Sequence, residues 1–195
     1  MKIAIIDYDT SNLQSVGNAL TSLGRDFEIV DSPKKLSAFD KVILPGVGAA
    51  KPAIAKLKRV GFDKALPKLT VPVLGICLGM QLLAEFSEEG DARCLSIIPG
   101  KVKKFRTELK IPHMGWNQVR LIKNSKLTKG IPDNSFFYFV HSYYVDTNPK
   151  YVIGQTDYGV TFLAIIQKQN FYATQFHPEK SGKWGLKLLS NFCDL

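Results

Sequence analysis

The first half of the chain alternates short apolar runs with segments of helical period, and this alternation restricts the fold more than any other feature. Lys2 to Ile6, Phe27 to Val30, Lys41 to Leu44 and Val71 to Ile76 are runs of strand length. Between them, Leu13, Val16, Leu20 and Leu23 recur at helical spacing behind a Ser11 cap and before Gly24. Ala50 to Val60 follows with Ile54 and Leu57 inward, then Leu78 to Phe86 as the next helix. Strand, helix and strand repeated in this way give a parallel sheet with right-handed crossovers. In such sheets, sites lie at the carboxyl ends of the strands. Glycine-bearing turns stand at two of those ends, after Leu44 and after Ile76.

From Gly90 onward the pattern changes. Strand-like stretches dominate: Gly100 to Phe105, Asn117 to Leu121, Ser135 to Tyr138 and Tyr151 to Gly154. A hairpin follows, Phe162 to Ile166 and Phe171 to Gln175, around Gln167-Lys168-Gln169-Asn170. Ser181 caps a last helix with Trp184, Leu188 and Phe192 on one face. The expectation is an α/β fold in one domain over 1–195, its mixed sheet carrying an antiparallel extension. A chain of 195 residues buries about 70% of its unfolded surface and folds without staples.

Charge and cysteine usage narrow the function classes. The net charge is +9, from 26 basic and 17 acidic side chains, but the basic residues are scattered and form no nucleic-acid motif. A solvated basic surface is the plain reading, with an acidic protein partner ahead of nucleic acid. Cys77, Cys94 and Cys193 are odd in number and far apart, which argues against disulfides and a zinc knuckle. No apolar run approaches the ~20 residues of a membrane helix, and Met1 to Asp9 does not read as a signal peptide. The expected setting is reducing and cytoplasmic, with no membrane and no nucleic acid as partner.

The chemistry concentrates in Gly75-Ile76-Cys77-Leu78-Gly79, where an apolar strand meets an apolar helix. This is the form of a nucleophile elbow with cysteine as the nucleophile. Glycines two residues either side relieve crowding at so sharp a turn. A helix N-terminus favours thiolate over thiol at Cys77. The Leu78 N–H points where an attacked carbonyl gains charge, which makes it one oxyanion donor. The turn Pro45-Gly46-Val47-Gly48, on the neighbouring strand end, offers a second. A packing cysteine between small residues is the alternative, and it is the plain reading of Cys94 and Cys193.

Such a nucleophile needs a histidine, and the histidine needs an acceptor. In Gln175-Phe176-His177-Pro178-Glu179, positions i and i+2 of extended chain face one way, about 6–7 Å apart. Glu179 can then hold one nitrogen of His177 while the other serves Cys77. A satisfied strand-end histidine beside a surface acid remains open on this pattern. His113, in a loop, is a weaker base candidate, and His141, among aromatics, could line a pocket. No His-x-x-x-His spacing supports a metal, and no cofactor is expected.

The pairing of Gly75-Ile76-Cys77-Leu78-Gly79-Met80-Gln81 with His177-Pro178-Glu179 resembles the class I, triad-type glutamine amidotransferases. Ile111 to Asn117, Tyr138 to Tyr144, Leu44 to Ala49 and Ser87 to Gly90 resemble, within that family, the glutaminase subunits of imidazole glycerol phosphate synthase. The resemblance spans nearly the whole chain. It implies a flavodoxin-like fold with a mostly parallel central sheet, flanking helices and an antiparallel extension. It implies hydrolysis of L-glutamine through a Cys77 thioester, with Cys77, His177 and Glu179 as the triad. Gly48, Gln81, His141, Ser142 and Tyr143 would surround the glutamine. Ammonia would pass to a separate (β/α)8-barrel cyclase subunit, in a heterodimer that makes imidazole glycerol phosphate and AICAR for histidine biosynthesis. The sequence departs from the family at Tyr8-Asp9-Thr10-Ser11-Asn12-Leu13, which lacks the usual glycines of the first turn. Another amidotransferase or cysteine hydrolase, and a binding module with a vestigial triad, are the competing readings.

Overall fold

Apolar strands flanked by amphipathic helices become a sheet covered on both faces. The computed structural model describes residues 1–195. It begins with β1 (Ile3–Ile6), α1 (Leu13–Ser22), β2 (Phe27–Val30), β3 (Lys41–Leu44), α2 (Ala50–Val60), α3 (Phe62–Ala65), β4 (Val73–Ile76) and α4 (Leu78–Leu82). There follow β5 (Phe86–Ser87), β6 (Ala92–Arg93), β7 (Lys101–Lys104), β8 (His113–Leu121), β9 (Ser135–His141) and β10 (Tyr143–Asp146). The chain ends with β11 (Val152–Asp157), β12 (Thr161–Lys168), β13 (Phe171–Thr174) and α5 (Gly182–Cys193).

A nine-stranded sheet runs β2-β1-β3-β4-β13-β12-β11-β8-β9. β2, β1, β3, β4 and β13 are parallel neighbours. From β13 outward every pairing is antiparallel, through β12, β11, β8 and β9. The parallel strands bury alternate residues on two faces. Ala4, Ile6, Val42 and Leu44 pack with Ile54, Leu57 and Phe62 of α2 and α3. Ile3, Ile5, Ile43 and Leu74 pack with Val16, Leu20, Leu188 and Phe192 of α1 and α5. A second sheet, β10-β7-β5-β6, leans against the first. The chain leaves one sheet for the other at Ser142, whose carbonyl accepts from Phe105 N at 3.1 Å.

Several expectations change. Ser11 does not cap α1: Asn12 takes that place, with no side-chain capping bond. Ser181 holds the N-cap position of α5, as expected, but makes no side-chain capping bond. Its hydroxyl instead donates to the His177 carbonyl at 2.6 Å and accepts from Tyr138 N at 3.0 Å. The helix after the elbow stops at Leu82 rather than Phe86. Residues 95–98 take its last carbonyls: Leu95 N bonds Leu82 O at 2.9 Å, Ser96 N bonds Ala84 O at 2.8 Å, and Ile97 N and Ile98 N bond Leu83 O at 3.0 and 2.8 Å. His113 lies not in a loop but on β8, 3% exposed, opposite His141 of β9.

Candidate active site

β4 and β13 are parallel neighbours, with Thr174 opposite Ile76. The ladder continues one step, as Cys77 N donates to Thr174 O at 2.8 Å. Cys77 therefore stands at the carboxyl edge of the sheet, beside the segment that leads to His177. Its backbone has φ +52° and ψ −106°, a region that costs a non-glycine residue about 1–3 kcal/mol and persists only where the surroundings enforce it. The flanking glycines do the enforcing. A Cβ on Gly75 would lie 2.9 Å from the carbonyl of Gly79, and one on Gly79 would lie 1.9 Å from Leu44 O. At Gly46 a Cβ would stand 2.6 Å from the Tyr8 hydroxyl and 2.9 Å from Leu78 Cβ. The elbow and the Pro45-Gly46-Val47-Gly48 turn are thus pressed together without intervening side chains.

The first turn, without its family glycines, still makes the bend. Asp9 takes φ +70° itself, a conformation that aspartate tolerates better than most residues. Tyr8 beside it is 3% exposed and donates to Pro45 O at 2.9 Å, which ties this turn to the one facing the elbow.

The His177 backbone is bonded to β9 through Tyr138 O at 3.0 Å. Its Nδ1 lies 2.8 Å from Glu179 Oε1, the two side chains being 1% and 0% exposed. The other nitrogen, Nε2, is buried without a hydrogen-bond partner. Burial works against charge on this ring, but the Cys77 sulfur and the Glu179 carboxylate outweigh it and push the pKa up to about 10. The direction of the shift favours the charged form of the ring.

A cavity of about 330 Å³ opens over these groups, within the size range of small-molecule sites. Of the residues singled out from sequence, Cys77, His177, Val47, Gly48, Leu78, Gln81, His141, Ser142 and Tyr143 line it. Glu179 stands behind His177, and Gly46 lies behind the wall against Tyr8 and Leu78. Glu89, Pro112 and Val140 complete the lining and were not singled out from the sequence. Glu89 Oε2 accepts from Ala50 N at 2.7 Å, at the start of α2.

Gln175 was also missed. It is fully buried, and its Nε2 lies 3.8 Å from the Cys77 sulfur. Only the parallel pairing of β13 with β4 places it there. The Cys77 sulfur also lies 3.9 Å from Val140 O. Cys94 and Cys193 are buried and unpaired, and burial pushes both thiols up to about 11. No cluster of ligating side chains able to hold a metal occurs, and no helix is long and apolar enough to cross a membrane.

Comparison with known proteins agrees with this arrangement. The family model "Glutamine amidotransferase class-I" matches residues 4–194. A protein of Bacteroides fragilis named imidazole glycerol phosphate synthase subunit HisH is 48% identical, with 100% of each chain covered. Its counterparts in Dehalococcoides mccartyi and Archaeoglobus fulgidus are 48% and 44% identical, covering 97% and 99% of this chain and 95% and 98% of theirs. Among solved structures, one titled glutamine amidotransferase superposes with TM-score 0.77 at 15% identity, over 98% of this chain and 97% of that one. A glutamine amidotransferase of Thermotoga maritima superposes with TM-score 0.66 at 18% identity, over 100% and 83%. The likeness to these two shows the shared fold. With its sheet order, its strained cysteine elbow and these relatives, the chain belongs to the class-I glutamine amidotransferase family, alongside the HisH subunits of imidazole glycerol phosphate synthase.

Proposed function

We propose that this chain is the glutaminase subunit of an imidazole glycerol phosphate synthase, with Cys77, His177 and Glu179 as its triad. One observation carries the assignment: a buried His177–Glu179 pair with its free ring nitrogen in the same cavity as a cysteine held on a strained elbow.

In the reaction, the Cys77 thiolate attacks the side-chain amide carbon of glutamine. The carbonyl oxygen gains the charge, which the Leu78 N–H and the Val47–Gly48 turn receive. The His177 imidazolium gives its proton to the amide nitrogen, the C–N bond breaks, and ammonia leaves a thioester. Neutral His177 then takes a proton from water as the water attacks the thioester carbon. Collapse of that second intermediate expels the thiolate and releases glutamate, with His177 protonated again. Glu179 holds Nδ1 throughout, so that Nε2 faces the chemistry. Gln81, His141, Ser142 and Tyr143 line the space left for the glutamine.

The relatives are named as subunits of a synthase, which supports a partner subunit, and the family resemblance gives that partner as a (β/α)8 cyclase that takes the ammonia. The surface supports a docking face beside the cavity. β8 and β9 turn Met114, Trp116 and Phe136 outward, 62%, 54% and 51% exposed. Met114 pairs with Val140, which lines the cavity, so this apolar face reaches the cavity rim.

The test is ammonia release from glutamine by the chain mixed with the cyclase subunit, measured beside Cys77→Ala. Wild type is expected to turn over and the variant to be silent while remaining folded. Undiminished release by Cys77→Ala rejects the proposal.

A further inference from the structure

A line of hydrogen bonds runs from β8 to the Cys77 sulfur, and its donors and acceptors permit one assignment. Asn117 Oδ1 accepts from Gln118 N at 2.8 Å. Its Nδ2 then donates to Asp157 O at 3.1 Å and lies 3.3 Å from His113 Nε2. An amide NH2 only donates, so that ring nitrogen is bare and His113 carries its proton on Nδ1. His113 Nδ1 stands 3.0 Å from His141 Nε2, which therefore accepts. His141 is left with its proton on Nδ1, 2.8 Å from Tyr143 O. The same carbonyl receives Gln81 Nε2 at 2.9 Å. The second hydrogen of that amide goes to Gln175 Oε1 at 3.2 Å. Gln175 Oε1 being an acceptor, its Nε2 is the group turned to the sulfur, at 3.8 Å.

The line is built to be rigid. His113, His141, Gln81 and Gln175 are 3%, 6%, 4% and 0% exposed. The His113 ring is stacked between Tyr158 and Phe139, with centroids 4.0 and 5.0 Å away. Burial holds both histidines neutral, pushing His113 down to about 4 and His141 down to about 3. Neutral rings, each with one donor and one acceptor, are what the line requires.

We propose that Asn117, His113 and His141 are positioning residues that, through the Tyr143 carbonyl and Gln81, fix the Gln175 amide with its N–H on the Cys77 sulfur and so favour the thiolate before substrate arrives. This rests on Cys77 being the nucleophile, as above. The histidines act by holding the Tyr143 carbonyl where Gln81 reaches it; with that carbonyl displaced, Gln81 releases Gln175, whose oxygen can then turn to the sulfur, and an oxygen there repels the thiolate. The other ionisable groups facing Cys77 are His177 with Glu179 behind it, Tyr8 beyond Gly46, and Glu89 and Tyr143 in the cavity lining.

Two measurements on the full chain test this. In wild type, nitrogen-15 NMR of the imidazoles is expected to show His113 and His141 as neutral, Nδ1-protonated rings down to about pH 5. His141 protonated on Nε2 overturns the proposal without any variant. The second measurement is the pH dependence of Cys77 alkylation by iodoacetamide. Gln175→Met is expected to raise the midpoint by about one pH unit, the effect of one hydrogen bond to a charged sulfur. His113→Phe should raise it by less, and His113→Gln, which can still donate and accept, should restore it. An unchanged midpoint in folded Gln175→Met, or equal midpoints in the two His113 variants, overturns it. Alkylation needs no glutamine: a wild type that alkylates as expected yet releases no ammonia rejects the glutaminase reading and leaves the relay standing.

Discussion

Gly79→Ala is the sharpest test of how the elbow is held. The added Cβ would sit 1.9 Å from Leu44 O, where ordinary contact begins near 3.4 Å. One backbone must therefore retreat by about 1.5 Å, and neither is a flexible side-chain tip. Overpacking of this kind costs about 3 kcal/mol or somewhat more. Alanine recovers roughly 1 kcal/mol by its helix propensity, leaving a net loss of about 2–3 kcal/mol. In a chain of 195 residues that is a fall in Tm of roughly 4–12 °C. The displacement falls between the elbow and the turn after β3, so the proposed oxyanion donors, Leu78 N–H and the Val47–Gly48 turn, move relative to Cys77. Misplacement on the order of 1 Å costs about 10²-fold in rate. Gly24→Ala is the control: φ is +64° with nothing within 4 Å of the new Cβ, on the exposed end of α1. It should lose about 1 kcal/mol to backbone strain alone and keep its activity. Urea unfolding and kcat/KM for glutaminase in the complex give both numbers. If Gly79→Ala unfolds within 0.5 kcal/mol of wild type, roughly the noise of a neutral surface change, and turns over normally, the close approach is not what shapes the elbow.

Glu179→Gln should cut kcat by about 10²-fold or more, because the ring loses both its orientation and the carboxylate that stabilises its charge; stopped-flow turnover with the cyclase present measures this. Stability should fall on both sides of neutrality. The His177 pKa is raised to about 10, so its contribution is complete below the unfolded value near 6.5 and disappears as pH rises through 10. Those of His113 and His141 are lowered to about 4 and 3, so their contribution is present above about 6.5 and is lost as pH falls toward those values. Unfolding midpoints from pH 4 to 10 follow both limbs, and an acid limb unaltered in His113→Gln refutes that assignment. Trp116→Ser should leave stability within about 0.5 kcal/mol yet weaken complex formation by about 2 kcal/mol or more, read by calorimetry against the cyclase subunit.

Much of this was legible because local physics and tertiary structure agree in the parallel half. β2, β3 and α2 stand at the expected residues, and the elbow and His177-Pro178-Glu179 were visible as patterns. Gln175 was not, because its meeting with Cys77 depends on β13 lying next to β4, and strand order is not written in either segment. The helix after the elbow was expected, but its early end at Leu82 was hidden for a similar reason: the segment that claims the carbonyls there comes more than ten residues later. The second half of β8 was expected from Asn117 to Leu121, but its first half escaped because its alternation is inverted, with His113 and Asn117 facing in while Met114 and Trp116 face out. Read for periodicity alone, Ile111 to Asn117 resembles an irregular loop.

That inversion has a mechanical consequence. Side chains along a strand alternate between faces with a period of two, so β8 and β9 carry two sets of residues that cannot be adjusted separately. His113, Phe139 and His141 face the core and the cavity, while Met114, Trp116 and Phe136 face solvent. A slip of one residue would put Trp116 inside and bury no histidine beside Tyr143. Whatever presses on the outward set acts on the register of the inward set through shared backbone. The His177 backbone is bonded to the same ribbon at Tyr138. A partner seated on the outward face, as proposed, would thus bear on both His177 of the proposed triad and the hydrogen-bonded line that reaches the Cys77 sulfur.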